Sequence, residues 1–158
     1  MFRQMRRSKQ QLSQEECIEV LKQELRGVLS VLGDNGYPYG LPIDYWYCEE
    51  DGKLYFHCGK SGHKLDAIQS NDKVSFCVYD QGYRKEGDWA LTIRSVIVFG
   101  RVSIVEDPIR AIDAIRHLSY KFTQDSAHIE ETIRKYSHEV LCLALTPEYM
   151  TGKTVHEE

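Results

Sequence analysis

The apolar positions of the chain change period twice. From Gln14 to about Arg26 the residues Cys17, Ile18, Val20, Leu21 and Leu25 lie three and four apart, which predicts a helix with one buried stripe. Ser13 followed by Glu16 has the spacing of a capping box at its start, and Gly27 ends it. The pattern then shortens to β-like runs. Gly27 to Leu32 is one strand, and Gly33-Asp34-Asn35-Gly36 carries the residues a tight hairpin needs for positive φ. The returning strand, Tyr37 to Tyr47, puts Tyr37, Tyr39, Leu41, Ile43, Tyr45 and Tyr47 on one face and Pro38, Gly40, Pro42, Asp44 and Trp46 on the other. Glu49 to Gly52 turns the chain into a third strand, Lys53 to Cys58. A loop from Gly59 to Gly62 leads to a short helix from His63 to about Ser70, and Lys73 to Tyr79 is a fourth strand.

After an exposed loop at Gln81 to Asp88, Ala90 to Glu106 is the longest β segment, with Gly100 a bend or bulge. Asp107-Pro108 opens a helix through about Lys121, a polar helix follows near Ile129 to Tyr136, and Val140 to Thr146 closes the sheet. Six strands joined mostly by hairpins, with helices at the start and late in the chain, predict an α+β domain around an antiparallel barrel. No repeat or low-complexity linker divides it. The expected organisation is a single domain over 1–158, with an N-terminal arm at 1–12 and a C-terminal tail at 147–158.

Composition adds exclusions. The 158 residues, 42% hydrophobic, are enough for one core without a staple. With 20 Lys+Arg against 24 Asp+Glu, the net charge of −4 offers no basic field for nucleic acid or an acidic membrane surface. The longest apolar run, Val140 to Leu145, is far short of the ~20 residues that cross a bilayer. Arg3, Arg6 and Arg7 run directly into Lys9, Gln10 and Gln11, so no secretory core follows them and a cytoplasmic location is expected. Five cysteines, an odd number with no CxxC pair, suit reduced thiols.

Several familiar motifs fail. Gly59-Lys60-Ser61 lacks the glycine five residues upstream that a Walker loop requires, since position 54 is Leu54. No GxGxxG follows a strand, and Gly59 to Gly62 lacks the spacing of a nucleophile elbow. Cys48, His57, Cys58 and His63 have zinc-compatible donors, but adjacent His57 and Cys58 point to opposite faces of a strand and no close pair forms a knuckle, so no metal is expected.

What remains is Tyr55 to Leu65, a run from strand through glycine loop to helix start. The first amides of a helix point outward, two glycines admit a ligand to the backbone, and Lys64 adds a full charge, which together suit a phosphate. An ordinary capped turn with a solvated lysine is the other reading. His57 shares a strand face with Tyr55, as a structural histidine or as a group beside the phosphate seat. His63, at the helix start, suits a neutral ring. Low relief at Gly40 and Pro42 beside tyrosine walls suits either a flat ring or a protein interface.

These segments carry a resemblance. Gly36-Tyr37-Pro38-Tyr39-Gly40-Leu41-Pro42-Ile43, Tyr55-Phe56-His57-Cys58 with Gly62-His63-Lys64-Leu65-Asp66, Arg94 to Val102, and Met150-Thr151-Gly152-Lys153 together resemble the nitroimidazole-resistance family. That family belongs to the pyridoxamine 5′-phosphate oxidase-like FMN-binding split barrels. The resemblance implies a six-stranded split barrel, a homodimer, and FMN held in clefts between subunits. By the same resemblance Pro42, Ile43, Asp44 and Tyr45 border the flavin ring, and His57, Cys58 and Gly59 line ring and ribityl chain. Gly62, His63 and Lys64 hold the phosphate, while Arg94, Ser95 and Val96 approach from the long strand across the dimer. His57 would give a proton or hydrogen bond to charge developing on a nitro substrate. The oxidase's second-strand arginine is missing, since Tyr37 to Tyr47 holds no basic residue. The implied activity is an FMN-dependent nitroreductase; the alternatives are a non-catalytic FMN carrier or a haem carrier with His57 as axial ligand.

Overall fold

The computed structural model describes residues 1–157; Glu158, the last residue of the expected tail, lies outside them. Helix α1 spans Gln14–Gln23, and strands β1 and β2 span Arg26–Leu32 and Pro38–Asp44. Short β3 (Trp46–Tyr47) precedes β4 (Leu54–Gly59), α2 (His63–Ser70) and β5 (Lys73–Tyr79). Strand β6 (Leu91–Ile104), helices α3 (Pro108–Tyr120) and α4 (Ser126–Tyr136), and β7 (Val140–Glu157) complete the order.

The local signals explain most boundaries. The capping box forms: Ser13 Oγ accepts from the Glu16 amide at 3.1 Å and Glu16 Oε1 from the Ser13 amide at 3.0 Å. Helix α1 stops at Gln23, short of Arg26, because Arg26 is already a strand residue paired with Asp44. The β1–β2 turn adopts the expected left-handed geometry, with φ of 57° at Asn35 and 76° at Gly36. Helix α4 begins earlier than its apolar pattern suggests because Asp125 caps it, accepting from the His128 amide at 3.1 Å.

Two strand expectations are corrected. The run Tyr37 to Tyr47 is not one strand: it breaks at Tyr45, whose ring is fully buried and whose hydroxyl donates to Leu21 O at 2.7 Å. Trp46 and Tyr47 then pair with Tyr55 and Leu54 at the opposite end of the sheet from β2, which makes seven strands among the described residues where six were expected. The closing strand does not stop at Thr146 but continues to Glu157, because β6 pairs with it along its whole length across a bulge between Phe99 and Gly100. It is therefore longer than the Ala90 to Glu106 segment, and the described tail is sheet.

All pairings are antiparallel, in the order β2-β1-β5-β6-β7-β4-β3. The sheet curls until β2 and β4 lie alongside without pairing, so the barrel is open there. Its interior is filled by Leu29, Phe56, Phe76, Val78, Val98, Leu143 and Leu145, and plugged by Cys17, Val20 and Leu21 of α1 and Leu65 and Ile68 of α2. A second cluster, with Tyr55, Cys142 and Ala144 against Ala114 of α3, lies outside the barrel. The N-terminal arm is docked: Phe2 stacks on Tyr149 at 5.0 Å between ring centroids, and Gln11 bridges to Lys153. No described helix is long and apolar enough to cross a membrane.

Lys121 ties the end of α3 to the strand break. Its ammonium donates to Glu24 O and Tyr45 O, both at 2.7 Å, and sits 3.8 Å from the Tyr45 ring centroid. Burial pulls its pKa down to about 8, against the opposing charges of Asp44 and Glu24. Lys121→Met removes the donor from both carbonyls and is expected to cost about 2 kcal/mol, read as a fall of roughly 4 to 8 °C in thermal midpoint. An unchanged midpoint would contradict this role.

Candidate functional site

Where β2 and β4 face each other, the structure gathers Asp44, His57 and Lys64. Alternation on β4 sends Leu54, Phe56 and Cys58 into the barrel and leaves His57 on the outer face, solvent-exposed. Alternation on β2 sends Ile43 inward and turns Asp44 to the same side as His57. Protein packed around the imidazole pulls its pKa below the ordinary value through desolvation; Lys64 adds to the effect and Asp44 opposes it. The rings of His63, His117 and His156 are each hydrogen-bonded, whereas those of His57 and His128 are not, among the described residues.

The β4–α2 connection leaves backbone donors unengaged at the start of α2. Helices α1, α3 and α4 are capped by Ser13, Asp107 and Asp125, but α2 starts at Gly62 with no side-chain cap. Gly62 has φ of 137°, which an L side chain rarely adopts, and the first intrahelical bond runs from the Asp66 amide to Gly62 O. The amides of His63, Lys64 and Leu65 are thus free of helical partners, with half-buried Lys64 among them. His63 turns away: its ring stacks on Tyr39 at 4.2 Å and Nε2 meets the Asp34 amide at 3.3 Å. It docks α2 on the β1–β2 turn, leaving only its amide toward the seat.

The other expected site residues divide. Pro42 is exposed at the rim of a cavity of about 340 Å³ shared with Arg26 and Tyr79. The side chains of Tyr45, Cys58 and Val96 belong to the core, so none of them can border or line a ligand except by backbone. Burial also pushes the Cys58 thiol upward in pKa, against the charge of Lys64. Gly59 is exposed at the end of β4. Arg94 is held by Asp80, Nε to Oδ2 at 3.2 Å, and donates to Gln23 Oε1 at 3.1 Å. With Ser95 it lies on β6, which neighbours β5 and β7 but neither β2 nor β4, so a single chain does not bring Arg94, Ser95 and Val96 to the seat. The zinc-compatible residues also part: Cys48 packs under α3, Cys58 in the barrel, and His63 on the turn.

Two features escape a reading of the sequence. Arg26 reaches Asp44 from β1, Nε to Oδ1 at 3.0 Å, and so places a cation beside the β2 segment that has none of its own; its pairing with β2 is visible only once the hairpin register is known. The α3–α4 hairpin roofs His57, and nothing in the polar pattern of α4 signals this.

A sequence model of a known family, the pyridoxamine 5′-phosphate oxidases, matches residues 13–154. The chain belongs to this family. No protein of curated function matches it in sequence. Among solved structures, the family fold recurs in a protein provisionally described as a 5-nitroimidazole antibiotic resistance protein from Bacteroides thetaiotaomicron. It has TM-score 0.76 and 19% identity over 92% of this chain and 87% of that one. An FAD-binding protein from Mycobacterium smegmatis matches with TM-score 0.68 and 19% identity over 94% and 99%. An FAD- and haem-binding protein from the same organism matches with TM-score 0.66 and 20% identity over 91% and 72%. These structures share the overall fold of this chain.

Proposed function

We propose that this family member is a homodimeric FMN-dependent oxidoreductase that reduces small nitroaromatic compounds. The observation that carries the reading is the placement of His57 and Lys64 at the two ends of one short connection, with the uncapped start of α2 between them. Free amides and a lysine are the donor set of a phosphate monoester, so these residues fit FMN. Described relatives that bind FAD, and one described for nitroimidazole resistance, support a flavin and this substrate class.

Bound FMN would supply the redox chemistry. The chain's own part is to bind and to place a proton. Lys64 Nζ and the amides of His63 to Leu65 hold the phosphate, and Gly62 lets it reach the backbone. The His57 imidazole, without a hydrogen-bond partner among the described residues, presents an N–H to a substrate oxygen that becomes more negative on reduction. Arg94 and Ser95, remote from this seat within one chain, complete the site only from a second copy, which is the reason for proposing a dimer.

The first test is the absorption spectrum of the purified protein, where flavin bands at roughly 370 and 450 nm are expected. A Soret band instead would favour the haem carrier, a reading supported by the haem-binding relative. Lys64→Ala should weaken FMN binding by about 10 to 100 fold while leaving unfolding of the apo-protein unchanged, as expected for a charge-assisted phosphate contact. Equal affinity would place the phosphate elsewhere. Light scattering should give twice the chain mass; a monomer that binds FMN tightly would remove the shared site.

A further inference from the structure

His57 lies on the floor of a cavity of about 220 Å³ whose roof is the α3–α4 hairpin. That is below the roughly 300 Å³ at which pockets for drug-sized ligands begin, so a single ring with short substituents is the largest occupant that suits it. Leu118 and Ile129, both core residues, supply apolar walls, and Phe122 stands half-exposed at the mouth.

The polar lining carries one anion among neutral groups. The Ser119 hydroxyl donates to Ile115 O at 2.9 Å and that of Thr132 to His128 O at 2.8 Å, so each has only lone pairs left for a ligand. Asp44 is a carboxylate with one oxygen engaged by Arg26 and the other uncommitted. The rings of His57 and His128, and the hydroxyl of Thr123, whose Oγ1 accepts from the Asp125 amide at 3.2 Å, remain able to donate, so Asp44 is the charged acceptor of the lining that a ligand must match. A ligand made of acceptors alone would leave Asp44 unmatched; one with a ring N–H or a protonated nitrogen would satisfy it.

We propose that the cavity under the α3–α4 hairpin is the substrate pocket, and that Asp44 makes it selective for a compact single-ring compound bearing an N–H or protonated nitrogen, seated above His57. This rests on the flavin-reductase reading for its chemistry, but binding can be measured apart from turnover.

The test is calorimetric titration of the oxidised, FMN-loaded protein, without reductant, against 2-methyl-5-nitroimidazole and its N-methylated counterpart, which lacks the N–H. The N–H compound is expected to bind at least about tenfold tighter. Asp44→Ala, which removes the acceptor, should abolish that preference. Thr132→Trp, at an exposed helix position, should fill the pocket and weaken both compounds at least about tenfold while the flavin spectrum stays unchanged. Equal affinity of the two compounds for the wild type, or undiminished binding to Thr132→Trp, would overturn the proposal. Were the protein to bind no flavin, the cofactor reading would fail alone; the same titrations on flavin-free protein would then support or overturn the pocket by the same outcomes.

Discussion

Replacing His57 is expected to leave FMN bound and to cut anaerobic turnover of a 5-nitroimidazole by about 10² or more when the flavin is reduced beforehand. The residue is exposed at the end of a strand whose core contacts come from Leu54, Phe56 and Cys58, so neither His57→Gln nor His57→Ala should disturb the barrel. The two variants separate its roles. Glutamine can donate a hydrogen bond but cannot deliver a proton, so a proton donor loses rate in both variants, whereas a hydrogen-bond donor loses it only in alanine. The pH profile of the wild type gives an independent answer. Desolvation holds the His57 pKa below its ordinary value, so near neutrality the ring is largely uncharged. If turnover uses the proton of the charged ring, the rate falls as pH rises, with its inflection below the usual histidine value of ~6.5. If the neutral N–H suffices, the rate is flat from neutrality upward. Wild-type protein that binds FMN yet never transfers its electrons to a nitro compound would remove the reductase reading and leave the carrier.

Gly100→Ala should be the most damaging single methyl in the fold. At the bulge where β6 crosses β7, a Cβ on residue 100 would sit 2.2 Å from Thr146 O and 2.9 Å from the Leu145 side chain. The nearest obstacle is backbone in a paired strand, which cannot rotate aside as a flexible side chain would. Relief requires β6 and β7 to separate where their pairing resumes at Pro147 and Thr146. A cost of roughly 3 kcal/mol or more follows, seen as a fall of about 6 to 12 °C in thermal midpoint. Gly59→Ala is the control: a Cβ there meets nothing closer than 3.9 Å, so its effect on stability should be small. Equal midpoints for the two variants would show that the bulge has room.

The sequence alone determined the elements whose causes are local. The Ser13–Glu16 box, the Gly33–Gly36 turn, the glycine loop before His63 and the bulge glycine at 100 each act within a few residues, so composition and spacing suffice to place them. The same locality made the uncapped glycine loop and helix start of the β4–α2 run legible. Tertiary structure decided what depends on partners distant in the chain. Tyr45 breaks the second strand because its ring packs in the core with Leu21 of α1 and its hydroxyl donates to Leu21 O. The final strand runs past Thr146 because β6 offers an unpaired edge that long, which the mixed pattern from Pro147 to Glu157 does not announce. Burial of Tyr45, Cys58 and Val96 removes three side chains from the candidate site, since strand alternation gives two faces but not which one the core claims. The encounter of Asp44 and His57 under the α3–α4 roof is likewise a product of closure: it exists only because the curled sheet brings β2 to β4, and register across the five strand pairings between them sets that meeting.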